Sequence, residues 1–294
     1  MVIFFYKILF FLIAFFMVTC SWAALVDNVS ENKSSNKMIL YVNRLGLDWS
    51  KTDVKNAYEY RYSSIQALKA ISQDYIKGVL DAGLEYSAGK FRWDNTLLME
   101  YGQTSLEPYN ASKIVDENAD NFIISTGVSY SCWDFMNLKF GPSFRAAYDT
   151  EFVTRYSLPR QNIFRLSPGV ALFDNDILKS LYLTGVYEYD FTYDYVNDKL
   201  GAEIGFRLEY IPRKGVKISA GGYFREFFSY SSYDPYDLER DLNVVLRMDT
   251  NMWGKLTMGP YIQYRLAKAR GTDVYGSNFM IGLSFNYIDK YILF

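Results

Sequence analysis

The side chains with chemistry to offer in this sequence are carboxylates and cations set two residues apart, and no histidine stands among them. That absence removes the one side chain whose ordinary pKa lies between about 5 and 8. Serine–histidine hydrolysis, histidine-ligated zinc and imidazole proton transfer go with it, and a serine without a base beside it is a weak nucleophile. Asp81 with Glu85, and Glu188 with Asp190, bring together the residue types of glycoside hydrolysis. As ordinary charges of an inward strand face, however, both pairs need no catalytic task. The acidic runs Asp116-Glu117-Asn118-Ala119-Asp120 and Asp234 to Asp241 offer oxygen donors for Ca²⁺. Neither has the roughly twelve-residue spacing of a dedicated calcium loop, so solvated charge is the simpler account. Gly201 and Gly205 lie inside a strand pattern and make no phosphate loop. No enzymatic activity, cofactor or metal is expected. A formal net charge of −2 leaves no basic surplus to attract nucleic acid.

The elements that carry these charges have a period of two. Ile76, Gly78, Leu80, Ala82, Leu84 and Tyr86 alternate with Lys77, Asp81 and Glu85, and Ala202, Ile204, Phe206, Leu208 and Tyr210 alternate with Glu203, Arg207 and Glu209. Such segments predict strands with one oily and one charged face. Twelve are expected, at 38–49, 75–86, 91–101, 121–132, 135–148, 162–173, 178–191, 200–211, 215–228, 241–250, 255–266 and 277–288. At about 10 to 14 residues each they exceed the five or six of an ordinary strand and match a tilted lipid-spanning one.

The connections alternate in length as well. Ser87 to Lys90, Trp133-Asp134, Phe173 to Ile177, Pro212 to Lys214 and Asn251 to Gly254 are short, whereas 50–74, 102–120, 149–161, 192–199, 229–240 and 267–276 are long. Within 51–74, Ile65, Leu68 and Ile71 recur at helical spacing and suggest a loop with a helical turn; alternating Tyr58, Tyr60 and Tyr62 leave a strand open there.

These features predict an all-β fold, a transmembrane antiparallel β-barrel with short periplasmic turns and long extracellular loops. Closure pairs every backbone group, as a bilayer requires. Aromatics gather where headgroups would lie: Tyr86, Phe91, Trp93, Trp133, Phe135, Tyr210 and Trp253 beside the short turns, and Tyr101, Tyr148, Tyr189, Phe228 and Tyr264 towards the long loops. Aromatics in the core of a soluble β protein are the alternative reading. The inward face is expected to carry Lys77, Asp81, Glu85, Arg92, Asp94, Glu100, Arg145, Arg165, Glu188, Glu203, Arg207, Glu209, Lys217, Arg225, Arg247 and Arg265, joined by Arg44, Asp48, Lys139, Asp190 and Asp249. With eleven basic and ten acidic side chains, this lumen is nearly neutral. Placing Leu84 opposite Trp93 sets Glu85 against Arg92 and Lys77 against Glu100, and placing Leu208 opposite Ile218 sets Glu209 against Lys217.

At the N-terminus, Met1 to Val18 is an apolar run broken only by Lys7, followed by Thr19-Cys20-Ser21-Trp22-Ala23-Ala24. This is the pattern of a secretory signal over residues 1–23, cleaved after Ala23. An uncleaved anchor is the other reading, and Cys20 lacks the neighbours of a lipidated cysteine. Residues 24–37 read as a polar tether and 38–294 as the barrel. Once Cys20 leaves with the leader, Cys132 has no internal disulfide partner. The chain ends in Phe294 behind an aromatic-rich strand, as bacterial outer-membrane barrels present themselves to their assembly machinery.

The stretch Lys90-Phe91-Arg92-Trp93-Asp94-Asn95-Thr96-Leu97-Leu98-Met99-Glu100-Tyr101-Gly102 resembles the W-D-N-T-L strand of a bacterial outer-membrane family known only as domain of unknown function 3078. The resemblance covers residues 38–150 and implies a barrel location with no known activity. The expected partners are therefore outer-membrane lipid, lipopolysaccharide and the barrel assembly machinery, in a Gram-negative bacterium. The expected role is structural, or a narrow porin-like passage for small polar solutes. The alternative is surface binding or adhesion through the long loops, led by Tyr230-Ser231-Ser232-Tyr233-Asp234-Pro235-Tyr236.

Overall fold

Alternating oily and charged residues close into a single ring of strands in the computed structural model, which describes residues 36–60, 63, 66–68, 70–108, 114–135, 138–152, 160–173, 175–192 and 196–294. The leader, and the expected tether as far as residue 35, lie outside the described residues. The strands are β1 (Lys37–Lys55), β2 (Ala70–Ala88), β3 (Phe91–Pro108), β4 (Ile114–Tyr130), β5 (Trp133–Phe135), β6 (Leu138–Thr150), β7 (Asn162–Phe173), β8 (Leu178–Asp190), β9 (Asn197–Arg213), β10 (Val216–Tyr230), β11 (Leu238–Trp253), β12 (Leu256–Ala269) and β13 (Gly276–Ile292). Each long strand pairs antiparallel with its neighbours, β1 joins β13, and the remaining seam is closed by β4 against β6. The three-residue β5 continues the stave of β4 after a break at Ser131 and Cys132, and pairs with the base of β6. The result is a closed twelve-stave barrel with no edge left to pair.

The ladders run past the expected ends. β1 reaches Lys55, β3 reaches Pro108, β4 starts at Ile114 and β13 continues to Ile292, four residues beyond the expected stop at 288. Residues 116–120, expected in an acidic loop, belong to a strand. The reason is that a hydropathy pattern ends where the oily face ends, whereas backbone pairing does not. On β1 the outward residues change from Leu45, Leu47 and Trp49 to Lys51, Asp53 and Lys55 while the ladder to β13 persists.

Three hairpins turn on two residues, with Gly89, Gly215 and Gly254 at φ of 59, 84 and 57°. Glycine takes this left-handed region without a Cβ penalty. At the other end the chain crosses from β1 to β2 through turns at 57–60 and a 3₁₀ turn at Gln66–Leu68. The strand reading thus fails for Tyr58 and Tyr60, and of the residues expected on a helical turn Leu68 lies in one whereas Ile71 belongs to β2; Tyr62 and Ile65 lie outside the described residues.

Burial is inverted relative to a soluble protein. Trp49, Leu183 and Ile281 are 61, 56 and 54% exposed, whereas Asp48 and Glu188 are 2 and 4% exposed. The charged face is the inside. There, aromatic rings lie over glycines of the adjacent strand: a Cβ on Gly83 would fall 2.4 Å from the Tyr41 hydroxyl, and one on Gly205 would fall 2.3 Å from that of Tyr182.

Candidate functional site in the barrel interior

Register and burial together assign the inward positions. Lys77, Asp81 and Glu85 of β2 turn inward, as do Arg92, Asp94 and Glu100 of β3, Arg145 of β6, Arg165 of β7 and Glu188 of β8. Glu203, Arg207 and Glu209 of β9 do the same, with Lys217 and Arg225 of β10, Arg247 of β11 and Arg265 of β12.

The structure connects most of them by ion pairs. Lys77 Nζ reaches Glu100 Oε1 at 2.5 Å. Arg92 bridges Glu85 at 2.7 Å and Asp94 at 2.9 Å. Glu188 collects Arg165 at 2.8 Å, Lys199 at 3.4 Å and Arg225 at 4.0 Å. Arg225 also holds Glu203, which accepts from the Tyr182 hydroxyl at 2.8 Å. Arg265 holds Asp241 at 2.8 Å, and Arg247 reaches Asp249 at 3.2 Å and the Ser284 hydroxyl at 2.7 Å. Arg44 pairs with Asp48 at 2.5 Å from a bulge in β1 that turns both Asn43 and Arg44 inward. Pairing is what makes buried charge tolerable.

The expected cross-strand register is corrected in both hairpins. Glu85 stands opposite Asp94, Lys77 opposite Gly102, and Glu209 opposite Ser219. The turns are two residues long, shorter than assumed, and this slides each partner strand by two positions without changing faces. Arg92 and Glu100 still reach their partners, on the diagonal. Lys217 does not meet Glu209; it faces Asp249 across the β10–β11 ladder, and Glu209 takes Arg207 at 2.8 Å. Lys199, Asp237, Asp241 and the inward tyrosines Tyr41, Tyr182, Tyr223 and Tyr261 belong to the same interior and were not anticipated. Parity with Glu203 and Arg247 would have revealed Lys199 and Asp241; the tyrosines were masked by the expectation that aromatics face lipid.

The interior is not uniform. Glu188, Lys199, Glu203, Asp241, Asp249 and Ser284 are buried, whereas Arg145 is exposed and Arg207 is 50% exposed. At the long-connection end Tyr60, itself buried, packs with Leu68 against Ala267 and Ala269. Its hydroxyl lies 2.8 Å from the carbonyl oxygens of both Ala267 and Val274 and shares its single proton between them. In the tyrosine-rich stretch that begins at the end of β10, Arg270 lies 3.9 Å from the ring centre of Tyr230 and 4.7 Å from that of Tyr233, while Tyr233 and Tyr236 stay exposed. In the same region, burial holds the Asp237 carboxyl above its ordinary range, against the pull of Lys199 at 2.9 Å. Cys132 is buried at the break between β4 and β5; the expectation of a solitary thiol turns on Cys20, which lies outside the described residues. Outside the barrel at the short-turn end, Met38, Tyr86, Phe91, Trp93, Val128 and Phe294 line an apolar hollow of about 500 Å³.

Closure, strand length and inverted burial define the class: a transmembrane antiparallel β-barrel of twelve staves. No protein-family model matches the chain, and no curated protein does. The resemblance to the domain-of-unknown-function 3078 family is therefore unsupported, and only the coarser likeness to outer-membrane barrels stands. Among solved structures, the chain is similar to an outer-membrane channel from Pseudomonas putida F1, with 13% identity over 89% of this chain and 98% of that one and a TM-score of 0.44. It is similar to outer membrane phospholipase A from Escherichia coli, with 11% identity over 91 and 98% of the two chains and a TM-score of 0.41. The NanC porin gives 12% identity, 81 and 98% coverage and a TM-score of 0.39. At such values the likeness is one of fold. The expectation that this chain is no enzyme is not borne out, since a phospholipase stands among the proteins that share the fold.

Proposed function

We propose that this protein is an outer-membrane barrel whose ion-paired interior gives small polar solutes a narrow passage. The observation that carries the reading is the inverted burial: oily side chains cover the outside and nearly balanced charges line the inside. Such a lining hydrates small polar solutes and, with its charges neutralised in pairs, favours neither ion sign strongly. The exterior would meet lipid and lipopolysaccharide. Export by a leader removed near Ala23, and insertion through the assembly machinery by the strand ending in Phe294, complete the proposal.

Planar-bilayer recording tests it. Reconstituted protein is expected to give small, weakly selective conductance steps. Replacing both Lys77 and Glu100 with Ala, which opens the interior without changing its net charge, should enlarge them. Silence from both proteins, with folding verified by heat-modifiable gel migration, would overturn the passage and leave a structural barrel.

A further inference from the structure

On the inward face of β3, β4 and β6, two opposite charges look at one another across a glycine. Gly127 of β4 has Asp94 as its registered neighbour on β3 and Arg145 as its registered neighbour on β6. A methyl group on Gly127 would meet Asp94 Oδ2 at 3.1 Å and Arg145 Nε at 3.9 Å. The two ionic groups thus approach one bare patch of backbone from opposite sides, yet they do not join. Among the described residues Arg145 makes no ion pair within 4.0 Å, whereas Asp94 Oδ1 accepts from Arg92 Nε at 2.9 Å. Arg145 is also exposed although it faces inward, unlike the partnered Arg225. Its guanidinium therefore borders open space within the barrel.

A carboxylate and an unpaired guanidinium held a short distance apart over an empty floor suit a solute that carries both signs close together. We infer that Asp94, Gly127 and Arg145 form a binding point for small zwitterions of the amino-acid class. The solute's ammonium donates to Asp94 Oδ2, its carboxylate accepts the charge-assisted hydrogen bonds of the Arg145 fork, and the missing Cβ of Gly127 leaves room for the carbon between them. A simple anion or cation satisfies only one side. The inference deepens the passage reading, on which it depends for access, but binding can be measured without conduction.

The test is calorimetric titration of the full barrel, in detergent micelles, with glycine, acetate and methylammonium as separate probes. Glycine is expected to bind at least tenfold more tightly than either single-charge probe. Arg145→Gln and Asp94→Asn should each weaken glycine about tenfold. Gly127→Ala should do the same by filling the floor, and Arg145→Lys should retain part of the affinity. Glycine binding no tighter than acetate, or unchanged in Arg145→Gln with folding intact, would sink the site. Flux into proteoliposomes separates the two ideas. Specific glycine binding without solute flux keeps the site and removes the passage, whereas flux of neutral solutes without specific glycine binding does the reverse.

Discussion

At Glu188 three cations converge, and the carboxylate is almost wholly buried. Removing its charge strands Arg165, whose one ion pair among the described residues is with Glu188, in a site with little water. Glu188→Gln should therefore lower unfolding free energy by about 3 kcal/mol, read by guanidinium titration in lipid vesicles. Glu209→Gln, whose partner Arg207 is half exposed, should change it by less than about 1 kcal/mol. Equal effects at the two sites would show that burial does not set the worth of these pairs. Glycines discriminate in the same way. Gly205→Ala drives a methyl into the Tyr182 ring and should cost about 1 to 3 kcal/mol. Gly78→Ala faces outward, with its nearest contact at 3.6 Å, and should be nearly neutral.

Among the elements, the crossing from β1 to β2 is tied to β12 and the β12–β13 connection through two side chains, Tyr60 and Asn56. Tyr60 OH shares its proton between two carbonyls and accepts a hydrogen bond from the Ala269 amide at 3.3 Å, while Asn56 Nδ2 donates to the Tyr275 carbonyl at 2.7 Å. Small inward residues make the seat, since a Cβ on Gly276 would fall 2.7 Å from the Tyr60 ring. Tyr60→Phe keeps the ring and loses these bonds, so hydrogen exchange at the Ala269 amide should accelerate about tenfold. Tyr60→Ala empties the seat and should also expose this crossing to trypsin. Exchange at Ala269 unchanged in both variants would show that the tie contributes no local stability. Elsewhere, strand existence, type and order were legible from the two-residue period, because alternation is a local property of the chain. Strand ends and register were not. Between Val42, paired with Asp289, and Leu45, paired with Tyr287, lies a bulge that no composition signals, and β5 breaks from β4 where Gly141 allows the Tyr130 carbonyl to approach.

The whole molecule stands or falls on its outer surface. Leu183 lies near the midpoint of β8 and faces outward at 56% exposure. In a bilayer, Leu183→Arg should cost about 2 to 4 kcal/mol, with smaller penalties towards the rims. Outward Lys51→Ala, above the oily zone, should cost almost nothing. The contrast is read by unfolding from vesicles, and a neutral Leu183→Arg would mean that this surface does not meet hydrocarbon.

The sequence alone determined that the chain forms a ring of twelve antiparallel staves with an oily and a charged face, because the pleat imposes a period of two wherever the chain is extended. It could not determine which charge meets which. Turn length slides whole strands by two positions, closing the ring brings β1 against β13 and β4 against β6, and only then do Asp94 and Arg145, distant in sequence, come to share the space above Gly127.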